Sequence, residues 1–299
     1  WDYEQFMQQI QDTSWHDELG DPPVHGLMWI TEAQDKIIWW NRETSAIYME
    51  FDTDESGNDM LRQTGAADLA FLDGVLYIAQ DPAGTWGFTM VDFLRDNSTL
   101  HITVGIYSYG GDITARNSAG GWTQRHSIST HEIISNAVNA IGACRDPDLT
   151  DEFGRPKHWW AAGTDGGVSV YNPSADAIYD SSETADVDDL VLTSDGYLAI
   201  SEDNATRNFL SGYNSVFGIS ADSFGVSLQI TDVDPNDEQL HWSISAVQQQ
   251  PALIARSWAN EGMPQIWIPS DEGVHIHHAH ANGDNSGQGG MIRLTETYA

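Results

Sequence analysis

Cysteine is nearly absent: Cys144 is the one such residue in a chain of 299. An intrachain disulfide and a cysteine-based zinc site are therefore excluded. Cys144 ends the apolar run Ala140-Ile141-Gly142-Ala143-Cys144, where a buried small hydrophobe is expected. Positive charge is almost as scarce. Twelve Lys+Arg, of which only Lys36 and Lys157 are lysines, face 45 Asp+Glu, giving a formal charge of −33 and a pI near 4.2. Such a chain repels phosphate, which excludes nucleic acid and an anionic membrane surface as partners. No stretch approaches the ~18 apolar residues of a transmembrane helix, and no signal-peptide pattern opens the chain. Because it starts at Trp1, it is expected to be a piece of something longer. Also missing are the Gly-x-Ser-x-Gly elbow, a phosphate-binding glycine loop and His-Glu-x-x-His, so no catalytic residue can be assigned.

Aromatics, by contrast, make up 10% of the chain and include 12 Trp, the composition of a folded protein rather than an acidic tail. Mutual repulsion of −33 charges weakens a compact state unless salt or bound cations screen it. A cation-rich, extracellular setting is the expectation. It predicts a melting temperature that climbs by several degrees between about 0.05 M and about 2 M NaCl, or on adding millimolar Ca²⁺. A flat melting temperature would mean that the charges are compensated internally.

Two segments share one plan. His158-Trp-Trp-Ala-Ala-Gly-Thr-Asp-Gly-Gly-Val-Ser-Val-Tyr-Asn172 and Gln265-Ile-Trp-Ile-Pro-Ser-Asp-Glu-Gly-Val-His-Ile-His-His278 each read as a strand, a Ser/Thr-Asp turn closed by Gly, and a second strand. Looser copies join 74–79 to 87–91, 196–201 to 216–220, and 27–31 to 37–40. A short apolar strand precedes four of these hairpins, at 68–72, 137–141, 189–193 and 244–247. A further strand follows each, at 46–50, 100–104, 177–179, 226–230 and 291–294. Four antiparallel strands recurring about every 50 residues predict a β-propeller, with about five blades visible and six or seven if the chain is cut from a larger ring. The first blade lacks a clear innermost strand, so either the C-terminus supplies it or the chain is cut from a larger ring. The doublets Trp39-Trp40 and Trp159-Trp160 put one ring on each face of a strand, as suits blades packed on both sides.

The expected organisation is an N-terminal extension, partly helical, over 1–23 and a propeller over 24–299. Two polar insertions, 107–129 and 145–157, break the period and are expected to project as rim loops. They gather Arg116, Arg125, Arg145, Arg155 and Lys157, with the aromatics Tyr107, Tyr109 and Trp122. Guanidinium groups beside aromatics suit a protein interface or a sugar face, so Tyr107, Tyr109, Arg116, Trp122, Arg125, Arg145 and Arg155 form the candidate binding surface.

Metal candidates are two. Asp52, Asp54, Ser56 and Asn58 with Gly57 carry oxygen ligands at the spacing that opens a calcium loop, without the glutamate at position twelve. An acidic inter-blade turn is the alternative. His275 and His277 fall on one strand face and could share a metal, or serve as structural histidines. Beyond Ca²⁺, no cofactor is expected.

The segment Gly163-Thr-Asp-Gly-Gly-Val-Ser-Val-Tyr-Asn-Pro173 resembles the propeller repeat of two-component-regulator sensor domains. A longer stretch runs from Gly111-Asp-Ile-Thr-Ala-Arg-Asn-Ser118 through Ala137-Val-Asn-Ala-Ile141 to the same hairpin. It is similar to propeller segments of virion proteins of marine bacteriophages, of tail or fibre type. That resemblance implies a structural or adhesive module whose partners are other virion or appendage proteins, or a surface glycan. Two other functions stay open: a secreted carbohydrate-active enzyme, lyase or glycosidase, with carboxylates or His and Tyr at the central mouth, and a ligand-sensing ectodomain.

Overall fold

The computed structural model describes residues 3–31, 36–53, 59–61, 65–80, 86–118, 120–126, 129–181, 186–192, 196, 198–204, 207–213, 216–222, 228–231, 254–257, 264–270, 273–278 and 292–294. For residues 3, 129, 199, 201–204, 207–213, 218 and all from 228 onward it describes the backbone only.

Two short helices, α1 (Tyr3–Gln9) and α2 (Ser14–Leu19), open the chain, and the described elements after them are strands and three single 3₁₀ turns. The first sheet holds β1 (Gly26–Ile30), β2 (Lys36–Asn41) and β3 (Ala46–Asp52). The second is six-stranded: β4 (Ala66–Leu72), β5 (Val75–Gln80), β6 (Phe88–Asp92), β7 (Asn97–Ile102), β8 (Gly105–Tyr109) and β9 (Trp122–His126). The third holds β10 (Val138–Thr150), β11 (Pro156–Thr164), β12 (Gly167–Asn172) and β13 (Ala177–Asp180). The fourth is β14 (Asp186–Leu192), β15 (Leu198–Asn204), β16 (Arg207–Tyr213) and β17 (Leu228–Thr231). The fifth is β18 (Ile254–Ser257), β19 (Pro264–Ser270), β20 (Gly273–His278) and β21 (Ile292–Leu294). Within each sheet the strands follow chain order and pair antiparallel.

Turn chemistry sets this meander. Between β4 and β5 stand Asp73 and Gly74, both at positive φ (47° and 76°), the two-residue turn whose twist matches a hairpin. A longer turn recurs three times. Asn41, Asp92 and Asn172 each end a strand, and each side-chain Oδ1 accepts the backbone N–H groups two and three residues on. The turn then closes on Ser45, Asp96 or Asp176, at φ of 50–55°. Each first strand of the second, third and fourth sheets also carries a bulge, at Ala66/Asp68, Val138/Ala140 and Val187/Asp189.

Sheets stack face to face, β10 lying beside β4 on one side and β14 on the other, the propeller manner of packing. Trp159 belongs to the core between the third and fourth sheets with Val187, Leu190 and Ile200. Its neighbour Trp160 belongs to the core between the second and third, with Val75, Tyr77 and Phe88. One strand thus buries both faces, as the doublet predicted. Helix α1 delivers Phe6, and Ile10 and Trp15 follow, into the core that Trp39, Phe51, Ile78 and Phe93 form between the first two sheets.

Four expectations need correction. Residues 107–129 are not all loop: 107–109 and 122–126 belong to β8 and β9, which extend the second sheet. Residues 145–157 are largely strand, because β10 and β11 run on past the core as a long hairpin. The third strand of the fourth sheet is β16, whereas Val216–Gly218 is a 3₁₀ turn whose Val216 is buried. The first strand of the fifth sheet is β18; the proposed strand at 244–247 lies outside the described residues.

Candidate functional site

Among the described residues the first sheet holds three strands, where the third, fourth and fifth hold four. Its Asn41 turn joins β2 to β3 as the Asp92 turn joins β6 to β7 and the Asn172 turn joins β12 to β13. So β2 and β3 are third and fourth strands, and β1 is a second strand. Consistently, the β1–β2 ladder runs unbroken from Gly26↔Asn41 to Ile30↔Ile37, without the first-strand bulge. Between the first and second sheets there is a cleft of about 510 Å³. Gly26 and Met28 of β1, Trp39, Leu69 and Phe71 of β4, and Leu76 form its walls. Phe6, Pro22, Pro23 and Val24 arch over one side, and Asp73, Gly74 and Arg145 close one end. Gly26 is required because a Cβ there would stand 2.1 Å from Trp39 Nε1. Val24 and Leu27 are each 61% exposed and Phe71 is 47% exposed.

Behind the closed end lies a network of charges. Arg145 donates through Nε and Nη2 to the two Asp73 oxygens, at 2.7 and 2.5 Å. Tyr77 and His158 share a 2.7 Å hydrogen bond, and His158 Nε2 stands 3.4 Å from Asp73. Burial alone would raise the Asp73 carboxyl, but His158 and Arg145 bring it down to about 2. Further in, Arg155 grips Asp92 with both terminal nitrogens at 3.0 and 2.7 Å and gives Nε to Asp151 at 3.0 Å. Arg95 adds bonds to Asp92 and Glu152. Burial opposes the Asp92 charge, yet Arg155 and Arg95 hold that carboxyl below its ordinary range. These groups fasten the long β10–β11 hairpin to the turns of the second sheet.

Of the seven residues proposed as a binding surface, Arg145 alone lines the cleft. Arg155 is 4% exposed and Tyr109 is buried, so neither is a surface group. Tyr109 gives its hydroxyl to the carbonyls of Ala115 and Ser118 and packs on Trp122, with ring centroids 5.4 Å apart. Trp122 in turn donates to the Asp59 carbonyl. Arg116 is half-buried and donates to the carbonyls of Glu50 and Ile113, clasping the 110–121 connection onto β3. Burial lowers its pKa. Tyr107 is half-buried and Arg125 is exposed, on β8 and β9.

For the calcium loop, Asp52 is described: Lys36 approaches it at 3.2 Å, and its N–H goes to Asn117. The hydrogen bonds that Lys36 donates to Glu50 and Asp52 raise its pKa to about 12. Asp54, Ser56 and Asn58 lie outside the described residues. His275 and His277 sit on β20, opposite Ile268 and Ile266 of β19, and their side chains lie outside the description.

No protein-family model matches the chain, and no curated protein matches its sequence. Among solved structures it is similar to U3-55K, with 11% identity over 85% of this chain and 74% of that one, at a TM-score of 0.41. Similarity to the WD40 domain of Toxoplasma gondii coronin covers 85% of this chain and 65% of that one, with 8% identity and a TM-score of 0.37. The extracellular domain of the one-component system BT4673 from B. thetaiotaomicron is similar over 86% of this chain and 32% of its own, with 13% identity and a TM-score of 0.35. These likenesses concern the all-β repeat architecture and stop there.

The cleft was missed by reading for unusual residues, since its walls are ordinary hydrophobes. The signal that finds it is the spacing of Asn41, Asp92 and Asn172, which fixes β1 as a second strand.

Proposed function

We propose that the chain is a non-enzymatic contact module of a virion tail or another extracellular appendage, and that it meets a protein partner at the cleft beside β1. The observation that carries this reading is the exposure of Val24 and Phe71 in the wall of a cleft where Arg145, the one cation among the described lining residues, is already paired with Asp73. Contiguous exposed apolar surface beside a concavity marks an interaction site. A paired cation lends orientation there without demanding a charged ligand. Calcium at 52–58 belongs to the same extracellular reading, and the Ca²⁺ arm of the salt titration reports on it.

The test is the double variant Val24→Asp, Phe71→Asp, at two exposed residues that line the cleft. Both sites are exposed, so the melting temperature should move by only a degree or two, matching a cost under about 1 kcal/mol. Incorporation into the appendage, or binding to its neighbour there, should fall at least tenfold. If the double variant assembles and binds like the parent, the contact site is elsewhere. If binding is to a glycan and survives the change, the protein-partner reading is wrong.

A further inference from the structure

We propose that the outer seam between the second and third sheets is an acid-sensitive joint, closed while His101 is neutral and opened when that ring takes up a proton.

Strand pairing puts three histidines on this seam. His101 of β7 stands opposite Ile106 of β8, and Ile106 stands opposite His126 of β9. Directly opposed residues share a sheet face, so His101 and His126 lie on the same one. Phe88 of β6, also opposite His101, belongs to the core shared with the third sheet, which identifies that face. The 3₁₀ turn Ser129–His131 then brings in His131, whose ring stacks on His126 with centroids 5.3 Å apart and planes at 18°.

The three rings differ in what can share a charge with them. His126 is exposed to water. His131 is buried, but its Nε2 stands 3.5 Å from Asp176 and its Nδ1 3.1 Å from Thr130 Oγ1. Asp176 also accepts from the Tyr171 hydroxyl at 2.9 Å. Burial opposes the Asp176 charge, yet Tyr171 and the two histidines hold that carboxyl below its ordinary range. His101 has no such help. It is 5% exposed, lies flat on Phe88 with Trp160 edge-on, and its Nδ1 has no hydrogen-bond partner. Among the described residues, the titratable group that acts on it is His131, and a charge there repels a proton at His101.

A buried charge without a partner is avoided either by staying neutral or by opening the structure around it. Burial and His131 push His101 down to about 3, against 6.5 for an exposed imidazole. The opened form therefore binds a proton below about pH 6.5, whereas the closed form does not until about pH 3. Acid favours opening throughout that window. The segment that must lift is 131–137, which fastens the two sheets together. Asn136 accepts from Gly87 N through its carbonyl and from Thr103 N through Oδ1, each at 2.8 Å. Ile134 N donates to Ser169 Oγ at 2.9 Å. Beyond it, Ser169 donates to Asp180, a carboxyl raised by burial and by the nearby Asp222 and Glu132. Asp180 takes its proton more readily in the closed form and so acts in the opposite direction.

Hydrogen exchange of the intact chain, corrected for the intrinsic rate at each pH, reads the opening. Between pH 7 and pH 5 the protection of the Gly87, Thr103 and Ile134 amides should fall roughly 25-fold, the linkage of one proton to the two affinities. These amides should be at least about tenfold less protected than those of β11 at both pH values, as a local opening requires. His101→Phe keeps a ring in the apolar slot, removes the proton site and leaves Asp180 in place. In that variant the fall should shrink to about threefold or less. Imidazole ¹⁵N shifts of the parent give a reading that needs no variant: His101 should be neutral at pH 5 in the closed form. A parent whose seam protection does not fall, or a fall that persists in His101→Phe, overturns the proposal. So does a charged His101 at pH 5 with the seam amides still protected. Seam amides that exchange no faster than β11 would mean that the whole fold opens, and the joint is wrong.

Discussion

Replacing Arg155 with alanine should lower the melting temperature by about 10 °C. The guanidinium is 4% exposed and holds Asp92 and Asp151, whose side chains are 12% and 8% exposed. Removing one partner of a buried ion pair leaves the other charge desolvated and unpaired, a loss of about 3–5 kcal/mol. At roughly 2–4 °C per kcal/mol for a domain of 150–250 residues, that is a shift of ~10 °C. Lysine should not rescue it fully, since one ammonium cannot reproduce the fork that reaches Asp92 through two nitrogens and Asp151 through a third. The double variant Arg155→Met, Asp92→Leu should recover part of the loss, because no countercharge is then stranded. Arg125→Ala, at an exposed site on β9, is the control and should cost under about 0.5 kcal/mol. An Arg155→Ala melting temperature within about two degrees of the parent would mean that water or Arg95 takes over the two carboxylates.

That network shows where reading the sequence stopped. Arg116, Arg145 and Arg155 looked like a cationic rim because they fall in polar stretches between apolar strands. Their partners are far away in the chain: Asp73 lies 72 residues from Arg145, and Asp92 lies 63 from Arg155. Composition cannot show such pairing; only the stacking of β10 and β11 on the second sheet brings it about. Strands β8 and β9 escaped for a related reason. Gly105-Ile-Tyr-Ser-Tyr109 and Trp122-Thr-Gln-Arg-His126 are outer strands, and β9 is exposed over four of its five residues. An outer strand need not alternate strictly, so periodicity is a poor guide to it. In the fourth sheet Val216, Phe217 and Ile219 imitated a strand by being apolar, whereas the strand that pairs there, Arg207-Asn-Phe-Leu-Ser-Gly-Tyr213, mixes polar and apolar residues without alternation.

What could be read was the part fixed by local chemistry. The Thr-Asp-Gly-Gly turn at 164–167 and the Asp-Gly turn at 73–74 locate their hairpins without any tertiary knowledge. That no strand precedes β1 among the described residues was legible as well, since nothing apolar stands at the right distance before Leu27. What could not be read was the cleft between the first two sheets, because Phe6, Pro22 and Pro23 come to it from the N-terminal segment.

The tryptophan doublet leads to the second large effect. Trp160→Ala should be among the most damaging single changes in the protein, at about 3–5 kcal/mol and ~10 °C in melting temperature. The ring is 1% exposed and touches two sheets at once. It meets Phe88 edge-on at 4.7 Å and His101 at 5.3 Å, and stacks on Tyr171 at 5.5 Å with planes 8° apart. Protein interiors relax only partly around a deleted ring, so the cavity adds to the lost transfer free energy. There is a second consequence. His101 stacks flat on Phe88 at 4.6 Å and is kept neutral, because burial and the nearby His131 push its pKa down to about 3. With Trp160 gone, water can reach the imidazole, and its pKa should rise toward the ordinary histidine value near 6.5. The variant should therefore lose stability between about pH 7 and pH 5 less steeply than a variant with an equal loss elsewhere, since a charged His101 becomes tolerable in its folded state. Trp40→Ala is the internal comparison. Trp40 is half-buried, with Leu27 opposite it on β1 and Trp29 6.0 Å away, so it should cost about half as much or less. Thermal melts of the two variants at pH 7 and pH 5, with the His101 ring followed by NMR, decide the matter. Equal losses for Trp40 and Trp160, or a His101 resonance that stays neutral at pH 5 in the Trp160 variant, would mean that the third sheet repacks to fill the space and is less tightly held against the second than its ring contacts imply.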